Sequence, residues 1–254
     1  MSFLDGPTPL AFAHRGGALL PANEGIENTL TAFRNAVELG YRYLETDVHT
    51  SHDGVVYAFH DVGLTRMTGT VSAFRDLDSA GIDAMLVGNR EPIPRLADLL
   101  NAFPTARFNI DVKADDAVEP TLAVLRDADA LDRVCLASFS SARLARLRAA
   151  VPTVPTCFSL VEIALMRFGP TRWIQSAGRR RGGGCVQVPF RTRKNTLVTP
   201  EFVRRAHAVD LQVHVWTIDD PAEMRYLLDI GVDGLMSDRV DVLRDVLRER
   251  GEWR

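Results

Sequence analysis

The chain has 254 residues, 46% hydrophobic and 25% charged, a balance that excludes disordered, collagen-like and acidic-tail classes. Lys+Arg 30 against Asp+Glu 33 leaves a net charge of -3, too even for a molecule that binds nucleic acid over its whole surface. Cys135, Cys157 and Cys185 lie far apart with no Cys-x-x-Cys between them, so a zinc knuckle and a thioredoxin motif are excluded.

The N-terminus lacks a basic region followed by an apolar run, and no stretch nears the ~18 apolar residues that span a bilayer. The expectation is a cytoplasmic protein with no signal peptide and no integral membrane segment. In chain order, Leu10–Ala13 predicts a strand, Thr29–Leu39 a helix and Tyr43–Val48 a second strand. Asp53-Gly54 then signals a hairpin that turns the chain back through Val55–Phe59 to His60-Asp61. Val62–Pro94 is too long for a strand-to-helix loop and reads as a small insertion.

Beyond it the alternation is regular. Helices are predicted at Arg95–Ala102, Pro120–Ala128, Ala142–Ala150, Glu162–Ala177, Pro200–Val209, Pro221–Ile230 and Val242–Arg250. Strands are predicted at Arg107–Val112, Arg133–Ser138, Thr156–Leu160, Cys185–Val188, Gln212–Trp216 and Gly234–Met236. Eight strands, each followed by a helix, in about 250 residues is the arithmetic of an α/β protein, a (β/α)8 TIM barrel of one domain. A doubly wound open sheet alternates in the same way, but usually has a Gly-rich turn after its first strand. His14-Arg-Gly-Gly is not that turn, so the barrel is preferred.

Several strands carry polar residues that a packed barrel does not need. Glu45 and Asp47 share one face of the second strand, where two unpaired carboxylates would repel strongly. A hard divalent cation resolves that conflict, since oxygen ligands suit Mg2+ or Ca2+; a salt-bridged pair on a solvent-facing strand is the plainer alternative. Asn109, Asp111 and Lys113 share a face of the third strand and end where barrels hold their active sites. His14 and Arg15 end the first strand, where they suit proton transfer and anion clamping, and His60 adds a second imidazole. The other four histidines carry less: His49 and His52 read as exposed turn residues, His207 as a helix surface residue and His214 as barrel filling. Asn28 reads as an N-cap, Trp216 as core or pocket wall, Asp238 as a partner of Arg239, and the cysteines as small core side chains.

Taken together, the motifs resemble the glycerophosphodiester phosphodiesterase family. They are His14-Arg-Gly, Glu27-Asn-Thr, Glu45-x-Asp-Val, Asp53-Gly, His60-Asp, Leu64-x-Arg, Asn109-Ile-Asp-Val-Lys113, Ser138-Phe, Trp216-Thr and Gly231-Val-Asp-Gly…Ser237-Asp-Arg239, in order over about residues 10 to 243. The resemblance implies hydrolysis of a small-molecule glycerophosphodiester to a phosphomonoester, sn-glycerol 3-phosphate, and an alcohol. It implies His14 and His60 as general acid and base, and Glu45, Asp47 and Asp111 around a divalent metal (Mg2+ or Ca2+, with Mn2+ as a third candidate). Arg15 and Lys113 would contact phosphate, with Trp216 at the substrate. Three positions depart from the family pattern: Asp111 stands where Glu is usual, Asp219 where Asn is common, and Ala18–Ile26 is longer than usual and lacks the Pro before Glu27.

Rival readings share parts of this set. A lysophospholipase D or sphingomyelinase D-like enzyme would use the same machinery with an apolar groove, which Leu160–Phe168 permits. A non-catalytic phosphodiester-binding barrel has no need of two histidines and three carboxylates. A Schiff-base aldolase needs a lysine of lowered pKa, which carboxylates beside Lys113 would instead raise. Ile163 to Pro200 contains no Asp or Glu but eight cations: Arg167, Arg172, Arg179, Arg180, Arg181, Arg191, Arg193 and Lys194. Barrel topology predicts that Arg179–Arg181 emerge at the face away from the chemistry, and that Arg191, Arg193 and Lys194 line the catalytic rim.

Overall fold

The computed structural model of the chain describes residues 3–169, 183–192 and 195–254. Eight parallel strands close into a barrel: β1 (Leu10–His14), β2 (Tyr43–Thr50), β6 (Arg107–Val112), β7 (Val134–Ala137), β8 (Thr156–Cys157), β9 (Gly183–Pro189), β10 (Gln212–Trp216) and β11 (Gly234–Ser237). They pair in the order β1, β11, β10, β9, β8, β7, β6, β2, and the pairing of β2 with β1 closes the ring. Such strands are covered on both faces, so all eight residues of β2 are buried, charged ones included. Around the barrel lie α1 (Leu30–Glu38), α4 (Leu96–Ala102), α5 (Val118–Asp127), α6 (Ser141–Ala150), α7 (Leu160–Phe168), α8 (Pro200–His207), α9 (Pro221–Asp229) and α10 (Val240–Glu249).

After β2 the chain turns back into β3 (Val56–Ala58), antiparallel to β2 with His49 opposite Tyr57, as Asp53-Gly54 predicts. The insertion follows with two short helices, α2 (Thr65–Thr68) and α3 (Ser79–Asp83), and a small hairpin, β4 (Leu86–Val87) with β5 (Glu91–Pro92). It has a hydrophobic cluster of its own around Phe59, Leu64, Phe74, Ile82 and Ile93. The barrel's interior is filled below the polar layers by a cluster that includes Phe3, Phe12, Tyr43, Cys135 and Cys185. Phe3 closes that end: it is fully buried, and its carbonyl accepts a hydrogen bond from the Tyr43 hydroxyl.

Four local expectations are corrected. Asn28 does not cap α1. Thr29 does, its side chain accepting from the Ala32 N–H, while Asn28 turns the chain at a φ of 60° and accepts a hydrogen bond from the Thr46 hydroxyl. The strand expected to run to Leu160 ends at Cys157, because Ser159 and Glu162 form a capping box that starts α7. That helix stops at Phe168 with Gly169 extended, short of Ala177; residues 170–177 lie outside the described residues, as do Arg179, Arg180, Arg181, Arg193 and Lys194. His49 is not an exposed turn residue: β2 continues through it and it is buried. Among the described residues no helix is long and apolar enough to cross a membrane.

Candidate active site

Strand register brings the polar residues together. His14 lies opposite Glu45, which lies opposite Asn109, and one layer higher Asp47 lies opposite Asp111. Alternation of side chains then points these layers into the barrel at its carboxyl end. The turn after β1 needs its glycines. A side chain at Gly16 would meet the Ala32 backbone at 2.9 Å, one at Gly17 would meet Val240 at 2.6 Å, and both sit at positive φ. Arg15 also has a positive φ, 50°, and its N–H is tied to the Glu45 carbonyl at 3.0 Å.

A cavity of about 310 Å3 opens over these layers, and all eight residues singled out from the sequence line it: His14, Arg15, Glu45, Asp47, His60, Asp111, Lys113 and Trp216. Its two halves differ. One is polar, completed by Asn109 and Gln187. The other is apolar, walled by Phe139, Phe158, Leu160, Ile163 and Leu197, with Trp216 against Phe139.

Both histidines are held in the same way. His14 Nδ1 lies 2.7 Å from Asp238 Oδ1, and His60 Nδ1 lies 2.7 Å from Asp61 Oδ1. An ionised carboxylate only accepts, so Nδ1 donates and Nε2 is left as the working nitrogen. Asp238 therefore does not partner Arg239, which pairs instead with Asp241. Burial would lower the pKa of His14, but the charge of Glu45 and the bond to Asp238 outweigh it and raise the value. For Asp61, hydrogen bonds from Arg66 and His60 outweigh burial and hold the carboxyl down at about 2. His49 supports His60 from below: its Nε2 lies 3.2 Å from the His60 carbonyl, and its ring stacks on Phe74.

The carboxylates are unequal. Burial, then the neighbouring Asp47, pushes Glu45 up to about 7. Burial acts on Asp47 in the same sense, but Lys113 and Arg15 overcome it and hold its pKa below the usual carboxylate range. Burial raises Asp111. Lys113 Nζ bridges Asp47 at 2.7 Å and Asp111 at 2.6 Å, and these carboxylates outweigh burial and raise its pKa. Arg15 is tied to Glu27 at 3.1 Å and lies 3.4 Å from Asp47.

The donor set fits a hard cation. Asp47 Oδ2 and Asp111 Oδ1 are buried without a hydrogen-bond partner, and burial together with the neighbouring Asp47 leaves Glu45 the carboxylate with most to gain from an added positive charge. As the side chains stand, the Lys113 ammonium takes the space between Asp47 and Asp111, and among the described residues no three ligating groups already form a cage.

A family model described as the glycerophosphoryl diester phosphodiesterase family matches residues 14–242. The chain belongs to that family. Membership makes it an enzyme, a phosphodiesterase. Among relatives of this phosphodiesterase, one from Mycobacterium tuberculosis, named probable glycerophosphodiester phosphodiesterase 2, is 40% identical over 98% of this chain and 98% of its own. A lysophospholipase D of Rattus norvegicus is 24% identical over 92% of this chain and 85% of its own. The solved structure of an Oleispira antarctica phosphodiesterase, in complex with the product sn-glycerol-3-phosphate, shares the fold. Its TM-score is 0.80 at 21% identity, covering 95% of this chain and 97% of that one.

Sequence reasoning missed Asp61 and Asp238 as holders of the histidines and Gln187 as a wall, whereas Asn109 lies on the face it was assigned. Asp61 had a signal in His60-Asp, whereas Asp238 lies 224 positions from His14 and only barrel closure joins them. Of the predicted basic rim, Arg191 is described: it follows β9, is exposed, and pairs with Glu223 at 2.7 Å.

Proposed function

We propose that this phosphodiesterase hydrolyses glycerophosphodiesters to sn-glycerol 3-phosphate and an alcohol, with a divalent metal at Glu45, Asp47 and Asp111 and with His14 and His60 as general acid and base. The observation that carries the reading is a single cavity walled by three buried carboxylates and by two imidazoles, each anchored at Nδ1. When bound, the ion would supply Lewis-acid stabilisation of charge on the phosphoryl oxygens. It would also take over the charge that Lys113 now balances, leaving that ammonium and Arg15 for the phosphate. One imidazole accepts the proton of the attacking oxygen and the other protonates the leaving alkoxide.

A panel of glycerophosphodiesters and lysophospholipids, assayed after chelation and after return of Mg2+, Mn2+ or Ca2+, tests the reading. Activity should vanish on chelation and return with the ion; full turnover in excess chelator would overturn the metal. A second reading, a lysophospholipid substrate, is favoured by the apolar half of the cavity and its continuation outward. Leu160 and Phe139, both in the cavity wall, are 62% and 56% exposed, an apolar track for an acyl chain.

A further inference from the structure

His60 is the less supported of the two histidines. It follows a three-residue strand that pairs with the end of β2, and its side chain is 34% exposed against 12% for His14. What holds it is a chain of charges that begins on the insertion. Arg66, in α2, donates from Nε to Asp61 Oδ2 at 2.5 Å and from Nη2 to Asp61 Oδ1 at 3.1 Å. The same guanidinium donates from Nη1 and Nη2 to the two Glu27 oxygens at 3.0 and 2.6 Å. Glu27 lies in the turn just before α1 and also receives Arg15 at 3.1 Å. One planar fork thus joins the carboxylate behind His60 to a carboxylate fixed on the barrel, reaching both oxygens at each end, a geometry that suits a guanidinium rather than a single ammonium nitrogen. Arg66 is not itself part of the cavity wall.

We propose that Arg66 is a positioning residue for the reaction: by locking Asp61 against Glu27 it fixes the tautomer and direction of His60, so that Nε2 faces the substrate. The insertion then contributes an anchor for one half of the catalytic pair. The inference rests on the reading of His60 as an acid–base group.

The test compares Arg66→Ala, Arg66→Lys, His60→Ala and Arg95→Ala in the full chain with a glycerophosphodiester. Arg95 pairs with Asp83 elsewhere on the insertion, so its loss loosens that region without touching His60. Arg66→Ala should lower kcat on the order of 10- to 100-fold, the usual scale for residues that orient a reacting group, with KM nearly unchanged. Millimolar guanidinium should restore part of the loss, and Arg66→Lys should not, because a single ammonium nitrogen cannot reach both oxygens of Asp61 and both of Glu27 at once. Nitrogen NMR of His60 should show the Nδ1–H tautomer in the parent and a mixture in Arg66→Ala. Arg95→Ala should lower thermal stability while leaving kcat in place. Loss of kcat in both arginine variants in proportion to lost stability, or a raised KM at constant kcat in Arg66→Ala, would overturn the inference. If His60→Ala stays within a few-fold of the parent, the reading of His60 fails instead; if it loses activity while Arg66→Ala does not, only the role of Arg66 fails.

Discussion

At His14 and His60 the same device recurs, an imidazole whose Nδ1 is spent on an aspartate so that Nε2 is free to exchange protons. Asp238 is itself set by Asp219, whose Oδ1 accepts the N–H groups of Asp238 and Arg239 and the Ser237 hydroxyl. That gives the Asp219 departure from the family pattern a structural role. Asp238→Ala should reduce kcat on the order of 10- to 100-fold with melting little changed, since its side chain is partly exposed; turnover and thermal melts of the same preparation check this. Glu45 makes a pH prediction. Its folded pKa of about 7 exceeds the ordinary glutamate value, so the folded metal-free protein binds the extra proton, and stability is lost as pH rises towards and through 7. A divalent ion at this carboxylate would remove that penalty. Mg2+ should therefore raise Tm more at pH 8 than at pH 5.5, where it must displace the proton. An equal rise at both pH values, in melts with and without the ion, would separate Glu45 from the metal.

Among the elements, α7 separates the two substrate readings. Its capping box fixes where it starts, and that places Leu160 on the cavity's exposed edge rather than inside a strand. Replacing Leu160 with Asp should lower kcat/KM for a lysophospholipid on the order of tenfold, since each buried methylene is worth about 0.8 kcal/mol. Turnover of a short-headgroup glycerophosphodiester should be unaffected. Equal effects on both substrates would remove the acyl track. The element expected as a continuous strand shows why such boundaries escape periodicity. Thr156 to Leu160 is apolar enough for either structure, and the local Ser159–Glu162 hydrogen bonds decide for the helix.

Across the whole molecule the barrel has a chemical end and a plugged end. Phe3 fills the latter against Phe12 and Tyr43, with ring centroids at 6.2 and 5.2 Å. Phe3→Ala should cost about 3–5 kcal/mol, the usual range for a buried phenylalanine, and leave kcat near the parent value, because the site lies at the opposite rim. Denaturant unfolding with parallel assays at low temperature would show it, and a large fall in kcat in the folded variant would contradict this separation. The polar layers between the two ends show the reason for the closed form. Gly234 leaves room for His214 and Phe12, each of which would lie 2.9 Å from a Cβ there, and Gln187 reaches Asn109 at 2.7 Å across the interior.

Alternating apolar runs and amphipathic segments, read with the (β/α)8 count, were enough to determine the barrel, the hairpin at Asp53-Gly54 and the insertion, because strand and helix periods are local properties of the chain. Seven of the eight candidate residues were legible for a related reason: carboxylates, histidines and cations on or beside strand faces that ought to be apolar stand out without any knowledge of contacts. The pairs His14–Asp238 and Arg66–Glu27 were not legible, since their members lie far apart in sequence and meet only when β1 closes against β11 and the insertion folds onto the barrel. The burial of His49 and the elevation of Glu45 likewise come from neighbours brought in by other elements. Desolvation and Coulomb interaction depend on distances in space, and those exist only once the tertiary structure has formed.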